Sequence, residues 1–226
     1  MAQRSRVGLA AVCFGMAWLA LSPVASATTE ATPLLSAEQR AEVSRLTDFV
    51  HALKTFSADF IQQQVNARGQ KQPASTGSFV LARPGKFYWE YQSPYVQKLI
   101  ARDGTLWVYD PDLKQVTIND LSQDRGAPIG IFLGGRPLEA AFLITPQGAN
   151  DGLSWFSLTE RNPSGDFTQL QVGMDTRGIK AMVFTDKLGN RTTVQFSERK
   201  INQPVDASRF DFTPPAGVDV VKNSAP

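Results

Sequence analysis

Cysteine and histidine are nearly absent from this chain of 226 residues, which has one of each. Cys13 lies in an N-terminal segment that we expect to be removed, and His51 lies inside a predicted amphipathic helix. A zinc site ordinarily needs several imidazole or thiolate ligands, which this sequence does not offer. The mature protein is therefore expected to have no metal site, no disulfide and no thiol nucleophile.

Motifs for catalysis and for nucleotide binding are also missing. The sequence has no Gly-x-Ser-x-Gly elbow for a nucleophilic serine. The segment FLGGRP, at 132–137, lacks the lysine and the following helix of a phosphate-binding loop. Asp110 and Asp112 are close in sequence, but they lie at a predicted hairpin tip, where aspartate stabilises the turn itself. We therefore predict that the protein is not an enzyme and needs no cofactor.

The sequence has little that could cross a bilayer, which takes about 20 consecutive apolar residues. The apolar run at 7–21 is shorter, follows two arginines and precedes the small-x-small sequence ASA at 25–27. This arrangement predicts a signal peptide, residues 1–27, that is cleaved after Ala27 to leave an exported, soluble protein. Lipidation at Cys13 is disfavoured, because the preceding Val12 is branched where a small residue is needed.

Neither sign of charge is in excess once the leader is removed. The 23 basic residues fall to 21 without the two arginines of the leader, and the acidic residues number 21. So little net charge gives no general attraction to nucleic acid or to an anionic membrane. Residues 28–226 can bury a substantial core, and we predict that they form a single domain.

One long amphipathic helix is predicted near the N-terminus, from Ser36 to Phe56. It begins with a capping-box pattern, Ser36-x-x-Gln39. Four apolar residues then recur at helical spacing, and charged residues occupy the opposite face. The helix is therefore expected to lie on an apolar surface.

The rest of the chain alternates with a period of two, which is typical of β-strands. Strands are predicted at 57–66, 75–83, 86–92, 97–102, 105–110, 113–119, 154–160, 167–174, 178–185 and 190–198, with a short Phe-x-Phe edge strand near the C-terminus. A double proline after that edge strand is expected to stop further pairing. The apolar pieces 129–133 and 138–144 are expected to form short helical turns on the sheet. These elements predict a mainly β fold: about eleven strands in an antiparallel sheet curled toward a barrel, with helices on one side.

Large aromatic side chains occupy every second position of one predicted strand. Alternation places Phe87, Trp89 and Tyr91 on one face of the sheet, where Phe79 and Leu81 of the preceding strand join them. An ordinary filled core would explain such a face. A curled sheet with a helical cover could instead enclose an apolar cavity, in which case core and binding site are the same surface.

The candidate cavity residues are Phe60, Phe79, Leu81, Phe87, Trp89, Tyr91, Leu99, Trp107, Ile131, Leu133 and Phe142. The segments 129–133 and 138–144, flanked by glycine and proline, are suited to a movable cover. Arg83, at the rim of the aromatic strands, could donate hydrogen bonds to carbonyls of that cover and hold it shut. An apolar ligand would supply about 0.8 kcal/mol for each buried methylene, so the predicted ligand is lipid-like.

Four stretches together resemble the outer-membrane lipoprotein carrier family, LolA. They are FSADFIQQ, the pattern G-x-F-x-L-x-RPGKFYWEY from Gly77, DGTLWVYDPDLKQVT, and VDASRFDFTPPAGV near the C-terminus. The resemblance implies an unclosed barrel of eleven strands with a helical lid over a hydrophobic cavity. It also implies that Arg83 bonds the lid shut and that Phe87 takes part in handling cargo and partners.

The resemblance further implies a periplasmic carrier of acylated lipoproteins. Such a carrier receives its cargo from an inner-membrane ABC transporter and delivers it to an outer-membrane receptor of similar fold. We expect a monomer with no nucleic-acid partner. The sequence favours three alternatives less: a periplasmic regulator that senses lipoproteins with the same half-barrel, a membrane-anchored receptor that would need a usable lipidation cysteine, and a lipid-modifying enzyme.

Overall fold

The structure is a computed structural model that describes residues 35–121, 136–162 and 167–223. These residues contain two α-helices, one 3₁₀ turn and twelve strands. The helices are α1 (Ala37–Ala52) and α2 (Leu138–Ala141), and the 3₁₀ turn is Ala207–Phe210. The strands are β1 (Thr55–Val65), β2 (Ser75–Ala82), β3 (Lys86–Ser93), β4 (Gln97–Arg102), β5 (Thr105–Asp110), β6 (Gln115–Asp120), β7 (Phe142–Asn150), β8 (Leu153–Glu160), β9 (Phe167–Asp175), β10 (Gly178–Asp186), β11 (Arg191–Ile201) and β12 (Asp219–Lys222).

Helix α1 begins at the predicted capping box. The Ser36 hydroxyl accepts a hydrogen bond from the Gln39 backbone N–H at 3.1 Å, and the Gln39 side chain accepts one from the Ser36 N–H at 2.9 Å. The helix ends at Ala52, four residues earlier than predicted, because the alternating residues from Thr55 onward belong to β1. Phe56, predicted to be the last residue of the helix, is a fully buried strand residue.

The twelve strands form one unclosed sheet in the order β12-β6-β5-β4-β3-β2-β1-β11-β10-β9-β8-β7. All neighbouring strands are antiparallel except β12, which pairs parallel with β6. The predicted fold class is therefore confirmed. The ten strands predicted from alternation before the C-terminal edge are also confirmed, each within three residues of its predicted bounds.

The predictions for both sheet edges need correction. The helical turn expected in 138–144 is confirmed for Leu138–Ala141, but residues 142–144 belong to the edge strand β7, which continues through Pro146. Proline is tolerated there because an edge strand leaves one row of backbone N–H groups unused. At the C-terminus, the Phe-x-Phe segment is not a strand. The last described strand is β12, which lies after the double proline and pairs with β6 in parallel. The predicted antiparallel meander did not include such a strand.

One face of the sheet, here called the inner face, carries the hydrophobic core. The buried cluster includes Leu46, Val50 and Leu53 from the α1 region and side chains from strands as distant as β5 and β7. Leu106 of β5 and Ile144 of β7 belong to this cluster, although eight strands lie between them in the sheet order. A sheet that curls brings such strands toward a common interior.

Helix α1 docks on the inner side through a contact that requires glycine. The φ angle of Gly178, at the start of β10, is 108°, and a Cβ atom there would lie 2.2 Å from the ring of Phe49. Both the backbone angle and the close approach exclude a side chain at this position.

Among the described residues, no helix is both long and apolar enough to cross a membrane.

A candidate ligand-binding face

The register of β1, β2 and β3 assembles the aromatic surface that the sequence predicts. Phe79 lies opposite Trp89, and Leu81 lies opposite Phe87, in the β2–β3 pair. Phe60 of β1 lies opposite Gly77 of β2. The exposed fractions of these predicted residues are very low, between 0% for Phe79 and Leu81 and 8% for Trp89.

Trp89 is the centre of this aromatic cluster. Its ring centroid lies 4.7 Å from that of Phe60 and 5.0 Å from that of Phe79, both at tilted angles. Tyr91 and Phe196 are next, at 6.1 and 6.5 Å. Tilted and edge-to-face arrangements at such distances are favourable for aromatic rings and fix their orientation.

Gly77 makes this packing possible. A Cβ atom at position 77 would lie 1.8 Å from the Glu90 carbonyl oxygen and 2.9 Å from Cε1 of Phe60. The β2–β3 register also shifts between Thr76 and Gly77. The first glycine of the G-x-F-x-L pattern therefore leaves room for the Phe60 ring over the sheet.

The other predicted cavity residues divide into three groups. Tyr91, Leu99 and Phe142 are half-buried and pack against the core cluster. Ile131 and Leu133 lie outside the described residues. Trp107 requires a correction, because it is not on the inner face.

Trp107 points to the outer face of the sheet. Its neighbours in sequence, Leu106 and Val108, belong to the inner cluster or pack against it, and alternation sends Trp107 the other way. It lies opposite Ile100 in β4 and Ile118 in β6. The prediction was wrong because an aromatic residue in an alternating strand does not by itself reveal which face is the core.

The C-terminal segment covers part of this outer face. The 3₁₀ turn contacts β3 and β4, and Phe210 within it is 2% exposed. Phe212 stacks on Tyr109 at 5.6 Å, and the Arg209 guanidinium lies 5.9 Å from the Tyr88 ring centroid. The outer aromatics are thus used in packing the C-terminal segment onto the back of the sheet.

One buried polar atom on the inner face has no partner. Among the described residues, the Trp89 indole nitrogen is completely buried and makes no hydrogen bond. A buried donor without an acceptor costs about 1–3 kcal/mol, so such groups are rare in native proteins. An acceptor from a ligand would remove this cost.

Tyr91 and Gln62 are polar side chains that lie next to Trp89 and bond to each other. The Tyr91 hydroxyl donates to Gln62 Oε1 at 3.1 Å. Burial raises the pKa of the Tyr91 hydroxyl, and hydrogen-bonding contact with the Gln62 and Trp89 side chains opposes that effect. The Trp89 N–H is therefore close to the Tyr91 oxygen, although their geometry falls short of a full hydrogen bond, and Tyr91 stays protonated at neutral pH.

Arg83 joins the β2–β3 turn to the end of α1. Its guanidinium Nη1 donates to the Val50 carbonyl oxygen at 2.5 Å, and its backbone N–H donates to the Lys54 carbonyl at 2.8 Å. Burial lowers the pKa of Arg83 from its usual value. The Val50 carbonyl is in the last turn of α1 and also accepts the Leu53 backbone N–H at 3.4 Å, so Arg83 adds a side-chain cap to this helix end. The predicted partners of Arg83 were carbonyls of the cover segments 129–133 and 138–144, of which 129–133 lies outside the described residues.

The same end of α1 also meets α2. His51 Nε2 lies 3.5 Å from Glu139 Oε2, and both side chains are about half exposed. The Arg161 side chain donates to the Glu139 carbonyl oxygen at 2.9 Å, which ties α2 to the end of β8. Arg83, α1 and α2 therefore meet at one corner of the inner face.

Two structural features were not predicted from the sequence. Phe196 of β11 and Phe156 of β8 are buried members of the inner cluster, and alternation within their strands could have indicated them. Arg199 forms an ion pair with Asp175 and also donates to the Gly178 and Ile179 carbonyls at 3.1 and 2.9 Å. Its side chain is 2% exposed, and no sequence pattern distinguishes it from surface arginines.

Comparison with known proteins identifies the family to which this sequence belongs. The sequence model of the family described as "Outer membrane lipoprotein carrier protein LolA" matches residues 51–213. The chain belongs to this lipoprotein carrier family. The match begins in the last turn of α1 and ends three residues after the C-terminal 3₁₀ turn, so the aromatic cluster, Arg83 and α2 all lie within the carrier-family region.

Relatives in the carrier family cover most of the chain. An outer-membrane lipoprotein carrier protein from Bordetella pertussis is 36% identical over 97% of this chain and 98% of its own length. One from Methylococcus capsulatus is 36% identical over 80% of this chain and 87% of its own. An uncharacterized conserved protein from Thermus thermophilus is 13% identical, with a TM-score of 0.51 over 80% of this chain and 99% of that one, which supports the fold alone.

Proposed function

We propose that this protein carries acylated lipoproteins by holding their acyl chains against the inner face of its sheet. The observation that supports the proposal most strongly is the aromatic cluster of Phe60, Phe79 and Trp89, with Phe87 on the same face, on strands within the carrier-family region. The same surface is packed against α1 and adjoins α2, two elements that can act as its cover.

The energetics fit a ligand with long hydrocarbon chains. Burial of one long acyl chain yields on the order of 10 kcal/mol before the losses of entropy on binding are counted. The inner face offers few polar groups, so a small polar ligand would find little to bind there. Binding and release of such a ligand need no covalent step, and we propose a carrier without catalytic activity.

Movement of the cover is the second part of the proposal. The proposed cover comprises the segments 129–133 and 138–144, and Ile131 and Leu133 in the first of them would touch the acyl chains. Arg83 would act as its latch through the corner where α1 and α2 meet. A charged hydrogen bond contributes about 1.5–3 kcal/mol, which is small compared with the burial of an acyl chain. Ligand binding could therefore shift the equilibrium from closed to open.

The proposed route begins and ends at membranes. The protein would act in the periplasm after cleavage behind Ala27, as a single domain of residues 28–226. An inner-membrane ABC transporter would release the lipoprotein to it, and an outer-membrane receptor of similar fold would accept the cargo. The names of the relatives support a carrier over the periplasmic regulator that the sequence also allowed.

Native mass spectrometry of the protein purified from periplasm tests the proposal. We expect a complex whose extra mass corresponds to an acylated polypeptide, and release of that polypeptide on collisional activation. The matched sample is the protein refolded from denaturant, which should have no extra mass. Detection of apoprotein alone, in cells that produce abundant outer-membrane lipoproteins, would contradict the carrier function.

A further inference from the structure

Trp89 is an unusual residue for the centre of a purely apolar surface. A phenylalanine would fill an aromatic cluster without placing a donor in it, whereas the Trp89 indole N–H is buried there without a well-aligned acceptor among the described residues, the Tyr91 hydroxyl being close but poorly placed. The ring is packed against Phe60 and Phe79, at centroid distances of 4.7 and 5.0 Å, so it cannot turn freely to find one.

We propose that the Trp89 indole N–H donates a hydrogen bond to the carbonyl oxygen of an ester or amide group in the bound acyl ligand. This inference rests on the proposed function and names the part of the ligand that the inner face recognises. An ester or amide carbonyl is a neutral acceptor, so it can be buried beside aromatic rings without the large penalty of a charged group.

The positions of Tyr91 and Gln62 indicate how the ligand is oriented along the inner face. Trp89 and Tyr91 follow each other on the inner face of β3, and the Tyr91 hydroxyl is bonded to Gln62 of β1. The polar groups thus lead from the aromatic cluster toward the end of the sheet with the β1–β2 and β3–β4 turns. The ligand's carbonyl end lies on this side, and its methylenes lie over Phe79 and Phe196.

Two lysophosphatidylcholines that differ only in the chain linkage provide matched probes. The 1-palmitoyl compound has an ester carbonyl, and the 1-O-hexadecyl compound has an ether oxygen in its place. We expect the protein to bind the ester between about two- and twelvefold more tightly, below the critical micelle concentration, which is the range for one net hydrogen bond. The preference should disappear when Trp89 is replaced by β-(3-benzothienyl)alanine, which keeps the ring shape but has no N–H.

The matched control is the same replacement at Trp155, which is half-buried and alternates with the inner residue Phe156. That variant should keep the wild-type preference for the ester. A second readout is the ¹⁵N–¹H signal of the Trp89 indole, assigned by its loss in Trp89→Phe. The ester should move this signal downfield and the ether should not.

Each outcome supports or overturns the proposed Trp89 hydrogen bond. If both probes bind with equal affinity, or if the benzothienyl variant keeps the ester preference, the Trp89 hydrogen bond is overturned while the carrier function stands. An unchanged Trp89 signal with bound ester overturns it as well. Failure of both probes to bind would count against the proposed function, and the inference would fall with it.

Discussion

At the scale of single residues, Arg83 shows how one side chain can connect two elements. The sequence predicts an arginine at the rim of the aromatic strands, and the structure places its guanidinium on the Val50 carbonyl of α1. Five N–H donors in a rigid fork suit it to contact several carbonyls at once. Which carbonyl it meets depends on where α1 ends, and the predicted helix was four residues too long.

Replacement of Arg83 by leucine should loosen this corner and leave the fold intact. We expect the free energy of unfolding to fall by about 1.5–3 kcal/mol, because a charged hydrogen bond to Val50 is lost. Hydrogen exchange should become faster in the last turn of α1, and the protein should cycle less well between cargo donor and acceptor.

The matched control is Arg68→Leu, an equal change at an exposed position of the β1–β2 hairpin. It should alter neither exchange in α1 nor cargo transfer. Arg83→Leu protein with unchanged exchange and transfer would show that the contact has no role as a latch.

At the scale of elements, the β2–β3 hairpin was the most predictable part of the site. Alternation groups Phe79 with Leu81 and Phe87 with Trp89, because an extended backbone sends successive side chains to opposite sides, and the antiparallel pairing of the two strands joins both groups on one face. The same rule could not tell which face of β5 is inner, so Trp107 was assigned to the wrong side. Register with β4 and β6 decides that question, and register is a property of the whole sheet.

Gly77→Ala should disrupt this hairpin. The added methyl would lie 1.8 Å from the Glu90 carbonyl, so β3 would have to move away from β2. We expect a loss of about 1–3 kcal/mol in the free energy of unfolding, measured by chemical denaturation, and weaker binding of acyl ligands. Thr76→Ala, one residue earlier and exposed, should change stability by a few tenths of a kcal/mol. Equal stability of the two variants would contradict the requirement for glycine.

At the scale of the whole molecule, an ion pair between Arg199 and Asp175 connects β11 with β9 and with the start of β10. Arg199 of β11 bonds the Asp175 carboxylate and the start of β10, close to the Gly178 contact of α1. The Arg199 hydrogen bond holds the pKa of Asp175 below its usual value, against the opposing effect of burial. Because the folded pKa is depressed, the stabilisation is present above the unfolded value, about 3.9, and is lost as pH falls through the folded value.

Asp175→Asn should therefore flatten the acid dependence of stability. In the wild type, the free energy of unfolding should drop as pH falls below about 4. The variant should be less stable by about 2 kcal/mol at pH 7 and should lose less on acidification. Some dependence should remain, because turn hydrogen bonds also lower the pKa values of Asp186 and Asp206. Asp112→Asn, in an exposed turn, is the control and should follow the wild-type curve from pH 7 to pH 3.

Local features of this chain could be derived from the sequence alone. The capping box of α1, the period-two strands and the aromatic stripe of β3 depend on near neighbours, whose geometry is set by backbone sterics and side-chain spacing. The resemblance of the RPGKFYWEY region to the carrier family is local in the same sense. These features were sufficient for the fold class and for the inner aromatic surface.

Only the tertiary structure decided how distant segments meet. The parallel return of β12, the Arg199–Asp175 pair and the bond from Arg83 to Val50 all join residues far apart in sequence, and the outer position of Trp107 depends on the register of β5 with β4 and β6. So does the burial of the Trp89 N–H, which depends on rings from β1, β2 and β11. The physical reason is that register, curl and burial are settled by the packing of the complete sheet, which no short stretch of sequence specifies.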